Sequence, residues 1–259
     1  MPFAVSRGAR LYWKLDGEES APAVVLLNSI GTDMDLWDAC LPELRSSFRV
    51  LRMDTRGHGA SDAPCADYSL ALLAEDVFAV MDAAGLALAA IAGVSLGGMI
   101  AMEMALAQPQ RVAALALICT SATMDRTAWA DRVVNVRAAG MGAIADLSMG
   151  RFLSPQFAAD NPGLAAGIRR QLLAMDPAGY AGCAAAIRDM AIIDRLGAIA
   201  CPSLVITGDR DTSTPFAGHG ENLLRAIPGA RHLALASAHL APVEAPRDLA
   251  AGLGAILAP

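Results

Sequence analysis

The 259-residue chain predicts an α/β fold: a mostly parallel central sheet, helices on both faces and a helical lid insertion. Short, wholly apolar runs alternate with stretches of helical periodicity, the pattern of strands buried on both sides. That rhythm stops between residues 123 and 195, where several helices follow one another without a convincing strand. A serine between two glycines, Gly93-Val94-Ser95-Leu96-Gly97, also sits where an apolar run passes straight into a helical pattern.

The first run, 23–27 (AVVLL), reads as a parallel strand, with a helix over 36–46 after it. Residues 49–53 form the next strand. Residues 69–84 form a helix with Leu72, Leu73, Val77, Val80 and Met81 at helical spacing and Ser69 as its N-cap. A buried strand over 87–92 leads into Ser95 and a helix over 99–106, and 112–119 is another buried strand. The insertion reads as helices over 129–139, 141–152, 163–175 and 180–190, separated by Gly140, Ser154-Pro155, Asn161-Pro162 and Asp176-Pro177. Sheet rhythm returns with a strand at 203–207, a helix over 216–226, a strand at 232–236 and a helix over 246–257. The expected organisation is a core of 1–122 and 196–259 interrupted by a lid of 123–195.

Composition narrows the function. A net charge of −6 and no run of basic residues argue against nucleic acid. Residues 83–102 carry no charge and match the ~20 residues of a membrane span, but four glycines and the serine turn favour a buried strand and helix instead. Cys40, Cys65, Cys119, Cys183 and Cys201 are scattered, which suits reduced thiols better than disulfides or a metal site. The N-terminus resembles no signal peptide, so a cytoplasmic enzyme is expected, a monomer or small homo-oligomer with no cofactor and no metal.

Glycines flanking Ser95 let the chain make the sharp strand-to-helix bend that pushes a hydroxyl out beyond the sheet. Serine is a weak nucleophile and needs a base with a group to orient it. Of four histidines, His239 falls on a loop after a strand, at the same sheet edge as Ser95. His58 reads as a turn-stabilising residue, His219 sits at a helix start and His232 opens a strand. Asp209 and Asp211 both follow the strand at 203–207. Asp211 reaches further over the edge, whereas Asp209 is placed to brace the turn or pair with Arg210. An oxyanion needs donors as well, and the N–H groups of Leu96 and of Ile30, in the loop after the first strand, are the candidates.

Asp54-Thr55-Arg56-Gly57-His58-Gly59-Ala60-Ser61, Gly93-Val94-Ser95-Leu96-Gly97-Gly98, Gly208-Asp209-Arg210-Asp211 and Ser237-Ala238-His239 together resemble the ordered landmarks of the α/β-hydrolase superfamily. Within it the chain is similar to the 3-oxoadipate enol-lactonases of aromatic catabolism, through Asn28-Ser29-Ile30-Gly31-Thr32-Asp33, Trp129-Ala130-Asp131-Arg132 and Pro177-Ala178-Gly179-Tyr180. Many superfamily members carry His-Gly where this chain has Asn28-Ser29, and the lactonase pattern shares Asn-Ser. The loop from Ser237 to Pro242 is less polar than the lactonase pattern.

The resemblance implies hydrolysis of a small carboxylated enol-lactone, with Ser95 as nucleophile, His239 as base and Asp211 as its orienting acid. Trp129 and Arg132 share a helix face at i, i+3 spacing, which suits an apolar wall beside a guanidinium that holds a carboxylate. Arg137 faces elsewhere on that helix. The other readings are a carboxylesterase of small neutral esters with perhydrolase or haloperoxidase-like side activity, a C–C bond hydrolase, and a non-catalytic ligand receptor. Haloalkane dehalogenases and epoxide hydrolases use a carboxylate where Ser95 stands.

Overall fold

The structure, a computed structural model, describes residues 2–257. Its eight strands are β1 (Phe3–Ser6), β2 (Ala9–Asp16), β3 (Ala23–Leu27), β4 (Arg49–Met53), β5 (Ala89–Val94), β6 (Val112–Ile118), β7 (Ser203–Gly208) and β8 (Arg231–Leu235). They form one sheet in the order β1-β2-β4-β3-β5-β6-β7-β8. From β4 to β8 every neighbouring pair is parallel. All six residues of β5 and all six of β7 are buried, as a strand covered on both faces requires.

No strand was expected before residue 23, yet β1 and β2 form an antiparallel hairpin that extends the sheet beyond β4. Its turn is Arg7-Gly8, both at positive φ, the two-residue connection that matches strand twist. Burial alternates along β1 and the start of β2, with Ala4, Ala9 and Leu11 inward and Val5 and Arg10 outward. A half-solvated edge strand needs only that alternation, so it carries no apolar run.

Eleven α-helices surround the sheet among the described residues. Short α1 (Leu41–Leu44) precedes β4, and α2 (Leu70–Ala83) begins at Ser69, whose hydroxyl accepts the Leu72 N–H. The expected helix over 36–46 is instead a 3₁₀ turn, Met34–Trp37, followed by α1. Pro42 has no N–H to give to a helix running through it. Helix α3 (Leu96–Ala107) springs directly from Ser95 and is buried through its first ten residues.

Between β6 and β7 lie α4 (Arg126–Ala139), α5 (Ala145–Phe152), α6 (Pro155–Asp160), α7 (Pro162–Ala174) and α8 (Pro177–Arg188). Three of them begin earlier than their apolar spacing suggests. The Asp125 carboxylate caps α4 by accepting the Thr127 and Ala128 N–H groups, and Asp176 caps α8 in the same way. Prolines 155, 162 and 177, which read as separators, are first-turn residues where a missing N–H costs nothing.

After β7 the expected helix over 216–226 is broken at Gly218 (φ 80°), and only α9 (Glu221–Ala226) is regular. The short α10 (Ala241–Glu244) and α11 (Pro246–Leu257) complete the chain. Among the described residues no helix is long and apolar enough to cross a membrane. Residues 83–102 are divided between the end of α2, a loop, β5, the serine turn and α3.

Candidate active site

Ser95 stands between the last residue of β5 and the first of α3, at φ 55° and ψ −115°, a conformation side chains rarely adopt. Neighbouring backbone holds it there. Its N–H donates to the Ile118 carbonyl at 2.9 Å, and its own carbonyl accepts the Thr120 hydroxyl at 2.6 Å. The bend closes tightly: a Cβ on Gly93 would lie 2.2 Å from the Gly97 carbonyl, and one on Gly97 would lie 2.5 Å from the Leu27 carbonyl oxygen.

Asp211 and His239 follow β7 and β8. The His239 Nδ1–H donates to Asp211 Oδ2 at 3.0 Å, and both side chains are buried. With its proton on Nδ1, the ring presents Nε2 as an acceptor, the form a general base requires. Phe152 of α5 lies nearly parallel to the imidazole, 7° apart in plane with centroids 6.5 Å apart. Burial alone would raise the Asp211 pKa. The electrostatic attraction and hydrogen bond of the His239 ring outweigh it, with the Thr214 hydroxyl and the Ser213 N–H, and hold the carboxyl down at about 2. Asp209 points away from this arrangement and pairs at the surface with Arg210.

One cavity is lined by Ser95, His239 and Ile30 together with Trp129 and Arg132 of α4. The Arg132 guanidinium lies over the Trp129 ring, 4.6 Å from its centroid, and donates to the Tyr180 hydroxyl at 3.2 Å. Arg137, on the same helix, pairs with Asp67 instead. Among the lining residues with no role assigned from sequence are Ser148, Arg151 and Phe152 of α5 and Tyr180 of α8. Tyr180 lies in a stretch that resembled the lactonases, but only the packing of α8 along α4 brings its hydroxyl to Arg132. Thr214 was missed too, although a threonine three residues after an aspartate is a recognisable side-chain turn.

The loop after β3 is fastened at several points. Asn28 donates to the Met53 carbonyl at 2.7 Å and accepts the Trp37 indole N–H, while the Gly97 N–H donates to the Asn28 carbonyl. The N–H groups of Gly31 and Thr32 go to His58 and to the Ser29 carbonyl. Among the described residues those of Ile30 and Leu96 donate to no protein group. His58 does brace its own turn, where its Nδ1–H donates to the Arg56 carbonyl at 3.2 Å, and burial pulls its pKa down to about 4. His219 bonds to Ser121 and His232 to Thr207, each apart from Ser95. No cluster of three or more metal-ligating side chains occurs among the described residues.

A family model described as the alpha/beta hydrolase fold matches residues 22–246. 3-Oxoadipate enol-lactonase 2 of Acinetobacter baylyi is 31% identical over 232 residues, covering 89% of this chain and 86% of its own. The crystal structure of the enol-lactonase from Burkholderia xenovorans superposes with a TM-score of 0.95 at 34% identity, over 99% of both chains. A hydrolase from Pseudomonas aeruginosa gives 0.95 at 40% identity, over 99% of this chain and 97% of that one. With the sheet order, the strained serine turn and these matches in agreement, the chain belongs to the α/β-hydrolase fold family.

Proposed function

We propose that this carboxylic-ester hydrolase opens a small carboxylated enol-lactone of the 3-oxoadipate type through an acyl-enzyme on Ser95. His239 Nε2 takes the serine proton as Oγ bonds to the lactone carbonyl carbon. The carbonyl oxygen becomes an oxyanion facing the Ile30 and Leu96 N–H groups. Collapse breaks the ring C–O bond, and the leaving enolate takes the proton from His239 to become the ketone. The neutral imidazole then draws a proton from water as it attacks the acyl carbon, and returns that proton to Ser95 Oγ as the acyl group is released. Asp211 keeps the imidazole in its tautomer and stabilises the imidazolium without taking the proton. Residues 123–195 act as the lid over a core of 1–122 and 196–259.

The observation that carries this reading is the Asp211–His239 hydrogen bond opening onto a cavity shared with Ser95. The lactone preference rests on Arg132, a guanidinium placed on the cavity wall against the Trp129 ring. The apolar wall of Met99, Met124, Trp129 and Phe152 favours a second reading, a carboxylesterase of small neutral esters.

Arg132→Ala separates the two. Losing a charge-assisted hydrogen bond worth roughly 1.5–3 kcal/mol should lower kcat/KM on a carboxylated lactone by about ten- to a hundredfold. Hydrolysis of p-nitrophenyl acetate should barely change. Equal loss on both substrates, or none on either, removes Arg132 as the anion holder. Ser95→Ala should abolish turnover of both with the circular dichroism spectrum intact.

A further inference from the structure

Ile30 is gripped on both sides by side chains from other positions. On one side, the carbonyl of Ser29 accepts two hydrogen bonds from Thr32, one from the hydroxyl at 2.9 Å and one from the N–H at 3.2 Å. That carbonyl belongs to the same peptide unit as the Ile30 N–H. Because a trans peptide is planar and its C=O and N–H point in opposite directions, holding the oxygen aims the hydrogen. On the other side, the Gly31 N–H donates to His58 Nε2 at 3.1 Å, which fixes the next peptide plane.

His58 is itself held at both ring nitrogens. Accepting at Nε2 obliges the neutral ring to carry its proton on Nδ1, which donates to the Arg56 carbonyl. The Arg56 guanidinium is anchored in turn by buried Asp76, with Nε to Oδ2 at 2.7 Å. Thr32 and His58 are 2% and 1% exposed, so water does not compete for these bonds.

We propose that Thr32 and His58 are positioning residues for the reaction: together they lock the two peptide planes flanking Ile30 so that its N–H is aimed in advance at the oxyanion. The inference rests on the reading of Ser95 as nucleophile and of Ile30 as an oxyanion donor. Neither side chain touches substrate. Their contribution is preorganisation, since a donor that must reorient as charge develops stabilises the transition state less than a fixed one.

The test uses the full-length enzyme with p-nitrophenyl acetate as substrate and phenylboronic acid, which forms a tetrahedral adduct on the serine hydroxyl, as inhibitor. Thr32→Val keeps the shape of the side chain and removes the hydroxyl. Its kcat should fall about tenfold, up to about a hundredfold for His58→Phe, part of the 10²–10³ lost when an oxyanion donor is deleted outright. KM should stay nearly constant, boronate affinity should fall in step with kcat, and Thr32→Ser should restore both. A purely structural role would lower the melting temperature without weakening the boronate selectively. Wild-type kcat and boronate affinity in Thr32→Val, or a Thr32→Ser variant as impaired as Thr32→Val, overturns the inference. A wild-type enzyme that neither turns over esters nor reacts at Ser95 with a fluorophosphonate overturns the hydrolase reading itself.

Discussion

His58 shows how a single buried side chain makes acid stability legible. Burial lowers its pKa to about 4, below the ordinary imidazole value near 6.5. Between those values the unfolded chain binds a proton that the folded chain refuses, so this residue's contribution to stability falls as pH drops from about 6.5 toward 4. Asp54 works in the opposite sense. Burial raises its carboxyl to about 6, so the folded chain gains stability as pH falls from there toward the ordinary carboxylate range. The two effects overlap, and only a comparison isolates His58. The melting-temperature difference between wild type and His58→Phe should shrink by a few degrees from pH 7 to pH 4.5, a change of about 2 kcal/mol. A difference independent of pH counts against a neutral, bonded imidazole. The sequence suggested that His58 braces its turn, and it does. Its bond to Gly31, 27 positions earlier, becomes visible only once β3 and β4 are known to lie side by side.

At the scale of elements, the turn after β4 and the start of α8 meet backbone to backbone. A Cβ on Gly179 would lie 2.4 Å from Gly57 Cα, and Gly57 has φ +81°. Gly179→Ala should therefore push α8 away, carrying Tyr180 with it, and lower the melting temperature by several degrees for an overpacking cost of roughly 1–3 kcal/mol. Gly163→Ala, in α7 with open space around it, should be neutral or slightly stabilising. Comparable losses in both variants would mean that the close approach at Gly57 is not what matters. Here the sequence was a partial guide. Apolar runs revealed the buried strands because both faces of β3 to β7 are covered. The β1–β2 hairpin escaped because its exposed face admits polar residues. Helix starts were displaced because Asp125 and Asp176 act through caps rather than through apolar spacing.

Taken whole, the molecule grades its five cysteines by depth. Cys65 is exposed, Cys201 is partly covered, and Cys40, Cys119 and Cys183 are buried, all as free thiols. Burial pushes the Cys40 pKa up to about 12 and raises those of Cys119 and Cys183, so almost no reactive thiolate is present while the fold is intact. Under native conditions a thiol reagent such as dithionitrobenzoate should modify Cys65 first and Cys201 more slowly. The other three should react only at the rate of global unfolding. Rapid modification of four or five thiols would show that the core opens far more readily than this packing allows. Scattered spacing was enough to expect unpaired cysteines. Their depths depended on the order in which distant strands assemble, which no local pattern encodes.

Ile30, Ser95, Asp211 and His239 each lie just past the end of a strand, and the strands concerned all run in one direction. The opposite rim, where residues 17–22, 84–88, 199–202 and 228–230 lead into β3, β5, β7 and β8, carries none of these groups. A support, a fusion partner or a label attached at that rim would leave the mouth of the cavity unobstructed, so the direction of the strands also dictates by which side this catalyst is best tethered.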